Sequence, residues 1–168
     1  LISLGYTFFS NSDTEVIIKA YHCWGVGCLE RLDGMFAFAI WDEASQKLFI
    51  ARDRMGIKPF YFNATVKAFT FASNTQALLM QDLDKSVNPV ALQQQLSLHG
   101  VVPAPNTIIK GIQKLKPGTF MILNVNGQIK EKTYWSPTAK RPIGNISDQE
   151  YIERTHELLT AAVTKRMD

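Results

Sequence analysis

Arg52 and Asp53 stand side by side at the end of an apolar run, Leu48-Phe49-Ile50-Ala51, and are followed by Gly56 and a Lys58-Pro59 step. A cation and an anion at the inner end of a buried strand must be compensated there, so a buried ion pair or a turn-fixing network is preferred over a catalytic role. Gly56 then supplies a backbone geometry closed to other residues. Lys58 and Tyr61 carry no role beyond packing and surface charge. His22, Cys23 and Cys28 are neighbours in sequence, but three ligands without a fourth make a poor zinc site. A cysteine near the end of an amphipathic helix is by default a buried, unreactive thiol. His99, beside Gly100, reads as a capping or solvated histidine. Asp13 lies in Ser12-Asp13-Thr14-Glu15, where an acid in a first helical turn gains about 0.3–1 kcal/mol from the helix macrodipole.

The elements that must position these groups follow from pattern. Ser12 to Glu15 matches a capping box, with Ser12 bonding the Glu15 amide and Glu15 reaching back. A helix to about Trp24 is expected, buried along Val16, Ile17, Ala20 and Trp24, then ended by Gly25 and Gly27. Between Met35 and Trp41, Phe36, Phe38 and Ile40 alternate with Ala37, Ala39 and Trp41, so both faces are apolar and the strand belongs in a sheet covered on both sides. A hairpin to Leu48–Arg52 follows, then a second pair from Phe60–Phe62 and Val66–Ala72. Ser73 is expected to cap a short helix through Met80. Asn88-Pro89 starts another, with Leu92 and Leu96 buried and Gly100 closing it. The Pro-rich stretch 101–106 is expected to be extended, and Lys110–Lys116 to be a solvated connection. Phe120–Val125 and Gln128–Thr133 form a hairpin around Asn126-Gly127, a pair that supplies positive φ angles. Ser147-Asp148-Gln149-Glu150 is a second capping box, starting a helix buried along Ile152, Leu159, Ala162 and Val163.

At 168 residues and 46% hydrophobic content the chain can bury one good core and no more than one large domain. A net charge of +3 with scattered Lys and Arg gives no footprint for nucleic acid. No apolar run reaches the roughly 20 residues of a spanning helix, so no membrane partner is expected. Two cysteines are too few for a disulfide scaffold and fit a reduced, cytoplasmic compartment.

The wording of these elements is itself informative. GMFAFAIWD at 34–42, ARDRMGIKPFY at 51–61, SDTEV at 12–16, FAS at 71–73, VVPAPNTI at 101–108 and KLKPGTF at 114–120 resemble the glutaminase domain of the glutamine-hydrolysing asparagine synthetases. The resemblance implies an α+β fold, a four-layer αββα sandwich of the N-terminal nucleophile hydrolase type, incomplete at its N-terminus. It implies a partial class II glutamine amidotransferase domain at 1–135, a linker at 136–146 and, at 147–168, the first helix of a truncated C-terminal synthetase domain.

In that family a Cys at the first residue of the mature chain attacks the side-chain amide of glutamine. This chain begins at Leu1, so the nucleophile, the oxyanion hole and the Arg for the glutamine carboxylate are expected upstream. No catalytic residue is assigned here, and the chain alone is expected to lack glutaminase activity. The resemblance assigns Asp13 to the α-amino group of glutamine. Asn74 departs from the Glu that the family carries after FAS. ATP and magnesium are implied for a longer protein, at a site beyond this chain, with no cofactor in the chain itself. The acceptor carboxylate is aspartate or an acylated dipeptide, the latter because the loop at 98–108 is similar to a subgroup that amidates N-acetylglutaminylglutamine. A homodimer is a further expectation. The rival reading is a non-catalytic glutamine-binding or docking module.

Overall fold

Phe49 is the residue on which the first layer closes. It is fully buried on the second strand of an antiparallel hairpin, β1 (Ala37–Asp42) and β2 (Lys47–Arg52). Its ring stacks on Tyr21 at 4.8 Å and meets Phe38 and Phe120 edge-on, each at 5.8 Å. Tyr21 belongs to α1 (Asp13–Trp24), so the helix lies on this face of the sheet together with a 3-10 segment, Gly25–Glu30, that buries Cys28 and Leu29. The computed structural model in which these contacts are seen describes residues 1–139 and 146–167. It divides into two units, Leu1–Ser136 and Pro137–Asp168.

The first unit holds two antiparallel sheets. The larger has the order β1-β2-β6-β7, where β6 is Thr119–Asn124 and β7 is Ile129–Thr133. The smaller has the order β4-β3-β5, from β3 (Tyr61–Ala64), β4 (Phe69–Ala72) and β5 (Gln113–Lys114). The period-2 reading of β1 holds. Phe36, Phe38 and Ile40 join Phe49, Ala51 and Phe120 under the helix, while Ala37 and Ala39 join Leu48, Ile50, Met121 and Leu123 on the opposite face. That second face packs on Phe60 and Phe62, and Phe60 stacks on Phe71 and Phe62 on Phe69 across β3 and β4. A short helix, α2 (Thr75–Leu79), packs on β3 and β4. The expected order of helix, sheet, sheet, helix is thereby present.

β1 differs from expectation in one respect. It is an end strand among the described residues, so its faces are covered only in part, and Met35 and Trp41 remain exposed.

Several local expectations are corrected. In α1 only Ala20 of the expected stripe is fully buried; Val16 is exposed because the helix turns Ile17, Ala20, Tyr21 and Trp24 toward the sheet. α2 is capped by Asn74, whose Oδ1 accepts the Ala77 amide at 2.9 Å, and not by Ser73. α3 (Pro89–Ser97) has the expected Asn88 cap, but Ala91 is buried and Leu92 and Leu96 are exposed. The contact made by α3 runs through a small residue, and the leucines lie outside it. The stretch 101–106 is not simply extended; it turns at Ala104-Pro105, where the peptide is cis, and Asn106 donates back to the Pro103 carbonyl at 3.1 Å. Lys110–Lys116 is no solvated connection: it contains β5, flanked by the buried Ile112 and Leu115. In the β6–β7 turn only Gly127 takes a positive φ, of 80°, while Asn126 accepts the Gln128 amide on its side chain.

The second unit is α4 (Asp148–Thr164), with Ser147 Oγ accepting the Glu150 amide at 3.2 Å as a cap. The stripe Ile152, Leu159, Ala162 and Val163 is exposed, α4 being the one helix or strand among the described residues of that unit. Residues 140–145 of the expected linker 136–146 lie outside the described residues.

Candidate functional site

Asp13 is the first residue of α1 and is exposed. Ser12 precedes it in extended conformation and caps the helix, its Oγ accepting the Thr14 amide at 3.2 Å. The capping box forms differently from expectation: Glu15 does not turn back to Ser12. Its carboxylate accepts the amides of Phe9 at 3.1 Å and Ser10 at 2.8 Å, and the Ser10 hydroxyl at 2.6 Å. Lys19, one turn on, contacts the same carboxylate and also donates to the Thr7 carbonyl. Burial would raise the Glu15 carboxyl, but the Lys19 ammonium and the bonds from Ser10 and Phe9 outweigh it and hold it at about 2.

Two apolar cavities flank this helix start. One, of about 300 Å³, is lined by Phe9, Ser12, Thr14 and Ile18 among others. The other, of about 320 Å³, lies between Thr14, Ile17 and Ile18 of the helix and Phe38 to Trp41 of β1. Thr14, next to Asp13, lines both. The second cavity runs along the open edge of β1. The Asp53 amide bonds to the Phe36 carbonyl at 2.8 Å, and β1 and β2 pair Phe38 with Ala51 and Ile40 with Phe49. Alternation in an antiparallel ladder then directs the backbone groups of Ala37, Ala39 and Trp41 outward. An exposed carboxylate beside such a cavity is suited to receiving a ligand ammonium.

Arg52 and Asp53 have the structural role preferred from sequence. Asp53 is 1% exposed, and its carboxylate accepts the amides of Met55 at 3.1 Å, Ile57 at 2.9 Å and Lys58 at 2.9 Å. Arg52 is 8% exposed and donates to the carbonyls of Lys58 at 2.7 Å, Gly56 at 2.6 Å and Leu115. Among the described residues no ion pair joins the two. Each charge is neutralised by backbone dipoles, and together they wrap the 53–58 turn and tie it to Leu115, just past β5. Tyr134 closes the arrangement, its hydroxyl donating to the Arg52 carbonyl at 2.8 Å. Burial, with Asp53 nearby, pushes the Tyr134 phenol up to about 12.

The other candidates fall elsewhere. His22 shares a 2.7 Å bond with the Tyr6 hydroxyl. Cys28 is buried under the sheet, and burial pushes its thiol up to about 11, away from nucleophilic use. His99 is exposed with a φ of 50°, just past α3. Lys58 is exposed and enters the Arg52–Asp53 turn only through its backbone, and Tyr61 is half-buried on β3. Sequence reasoning missed the Glu15–Lys19 pair, whose only signal was a charge pair of i, i+4 spacing, and Tyr134, which lies 82 positions from its partner.

With this geometry in place the relatives can be compared. A family model described as a glutamine amidotransferase domain matches residues 1–135. Asparagine synthetase [glutamine-hydrolyzing] 3 of Bacillus subtilis is 33% identical over 165 residues, covering 97% of this chain and 26% of that protein. Asparagine synthetase [glutamine-hydrolyzing] 1 of the same organism is 37% identical over 145 residues, covering 86% of this chain and 23% of that protein. The chain thus spans about a quarter of the length of these curated relatives. Among solved structures, the glutamine phosphoribosylpyrophosphate amidotransferase of B. subtilis superposes with a TM-score of 0.53 at 21% identity, over 80% of this chain and 25% of that one. The layered α+β sandwich of the first unit is therefore the fold seen in that amidotransferase. The family match spans nearly all of the first unit, and the chain belongs to the glutamine amidotransferase domain family.

Proposed function

We propose that this chain forms part of the glutamine-binding domain of an ATP-consuming amide ligase, and that Asp13 receives the α-amino group of glutamine. The observation that carries the reading is an exposed carboxylate at a capped helix start, next in sequence to Thr14, which lines a cavity bounded by the open edge of β1. An acid there distinguishes free glutamine from glutamine within a peptide, because only the free amino acid brings an ammonium. The family match over 1–135 supports glutamine as the donor.

The relatives' names favour aspartate as the acceptor carboxylate, in a protein longer than this chain, and an acylated dipeptide is the alternative that rests on the wording of the loop at 98–108. ATP and magnesium belong to that longer protein in this reading. Among the described residues no group of three or more His, Cys, Asp or Glu side chains comes together to hold a metal. No described helix is long and apolar enough to cross a membrane. Free Cys23 and Cys28 favour a reducing, cytoplasmic setting. The isolated chain is proposed to release no ammonia from glutamine, since neither cysteine is placed as a nucleophile.

The test is glutamate release by the intact reading frame that carries this chain. Unaltered protein is expected to hydrolyse glutamine, and Asp13→Asn to raise the glutamine KM by about ten- to a hundredfold with kcat changed less. Absence of glutamine hydrolysis in the unaltered protein would favour a docking module instead.

A further inference from the structure

We propose that Glu15 is a positioning residue for the glutamine site, ordering the loop before α1 so that Asp13 stands where the ligand ammonium arrives. The proposal rests on the substrate role of Asp13 given above. None of the amides of Phe9, Ser10 and Ser12 bonds to a backbone carbonyl among the described residues. The loop hangs instead on one side chain. Glu15 Oε1 accepts the Phe9 amide at 3.1 Å and contacts Lys19, while Oε2 accepts the Ser10 amide at 2.8 Å and the Ser10 hydroxyl at 2.6 Å.

The order is passed along the chain. Ser10 Oγ, fixed by its donation to Glu15, accepts the Ser12 amide at 3.3 Å. Ser12 Oγ in turn accepts the Thr14 amide at 3.2 Å, so Asp13 lies between two residues whose amides are both held. Lys19 secures the far end through the Thr7 carbonyl and lies over the Phe8 and Phe9 rings, at 4.6 and 5.0 Å from their centres.

Glu15 itself is 7% exposed with its carboxylate oxygens occupied, so it acts on a ligand only through the loop. Replacing the carboxylate by an amide keeps one acceptor oxygen and sets an NH2 group against the donors of either Phe9 or Ser10, which loosens the loop without touching Asp13.

The experiment measures glutamate release over a range of glutamine concentrations in the intact reading frame, for Glu15→Gln, Ser10→Ala and Asp13→Asn. Glu15→Gln is expected to raise the glutamine KM about tenfold with kcat within about twofold, and Ser10→Ala to raise KM a few-fold in the same way. Ser10→Ala removes a single hydroxyl and decides the matter if Glu15→Gln does not fold. A raised KM in Asp13→Asn with unchanged KM in the other two overturns the positioning role alone. An unchanged KM in Asp13→Asn overturns the substrate role of Asp13, and the positioning role with it.

Discussion

Gly56 is locked to Arg52 twice over: its carbonyl accepts the Arg52 guanidinium at 2.6 Å, and a Cβ on its α-carbon would stand 3.2 Å from Arg52 Cζ. The same Cβ would approach Pro117 Cγ at 2.8 Å, and the backbone φ is +66°. A side chain here meets both a left-handed backbone and a filled space. Gly56→Ala is expected to destabilise the first unit by about 1–3 kcal/mol, read as a lower urea midpoint at unchanged slope.

The Arg52–Asp53 turn predicts a graded series. Asp53→Asn keeps one acceptor oxygen and turns an amide NH2 toward backbone N–H donors, so a loss of about 2–4 kcal/mol is expected. Tyr134→Phe removes one donor to the Arg52 carbonyl and should cost about 1 kcal/mol. Arg52→Lys leaves a point charge where three carbonyls in different directions were served, and is expected to fall nearer the Asp53 variant than the Tyr134 one. Equal, negligible losses across the series, measured by denaturant unfolding, would remove the turn from the set of stabilising contacts.

These residues also show what the sequence makes legible. Phe36 to Ile40 announce a two-faced strand because period 2 assigns each side chain a face wherever the partners are. The adjacency of Arg52 and Asp53 signals burial with compensation, but whether ion pair or backbone turn depends on where Leu115 comes, 63 positions away. Glu15 is the opposite case. Its spacing from Ser12 fits a capping box, and only the fold of the preceding loop turns it to Ser10. Leu92 and Leu96 have helical spacing too, yet the contact of α3 runs through Ala91, because tertiary packing and not periodicity chooses the face. β5 was hidden because two residues form its whole span among lysines. Asp13 carries no sequence signal of its own beyond a helix start; its reading depended on family wording.

Glu15 sets a pH dependence. Its folded-state pKa of about 2 lies below the ordinary 4.5, so it contributes stability that is fully present above the ordinary range and lost as pH falls from about 4.5 toward 2. The urea midpoint of the unaltered chain is expected to decline through that window. Glu15→Gln starts lower and should decline less steeply there, the residual slope coming from Asp42 and Asp84, whose carboxyls are also held low by Ser45 and Ser86. Parallel curves for the two proteins would show that the Glu15 bonds are no stronger in the folded chain than in water.

Cysteine reactivity provides a check on the site that needs no turnover. Cys28 is fully buried beneath Phe49 and its thiol is pushed up to about 11, whereas Cys23 is half-buried near the end of α1. At neutral pH a thiol-directed disulfide reagent is expected to modify Cys23 at most in the folded chain, and both cysteines in urea. Rapid modification of Cys28 without denaturant would mean that the layer between α1 and the sheet opens readily.

The open edge of β1 bears on how the chain behaves in solution. Ala37, Ala39 and Trp41 direct backbone donors and acceptors outward along a strand with no charge before Asp42, and Trp41 is 51% exposed. Such an edge pairs readily with a second copy, antiparallel edge against antiparallel edge. Light scattering across a concentration series is expected to show association of the isolated chain. Trp41→Lys places a charge at the end of that edge, at a half-exposed position, and is expected to restore the monomer without lowering the urea midpoint by more than about 0.5 kcal/mol equivalent. A monomer at every concentration, before any substitution, would show that the β1 edge is protected in solution.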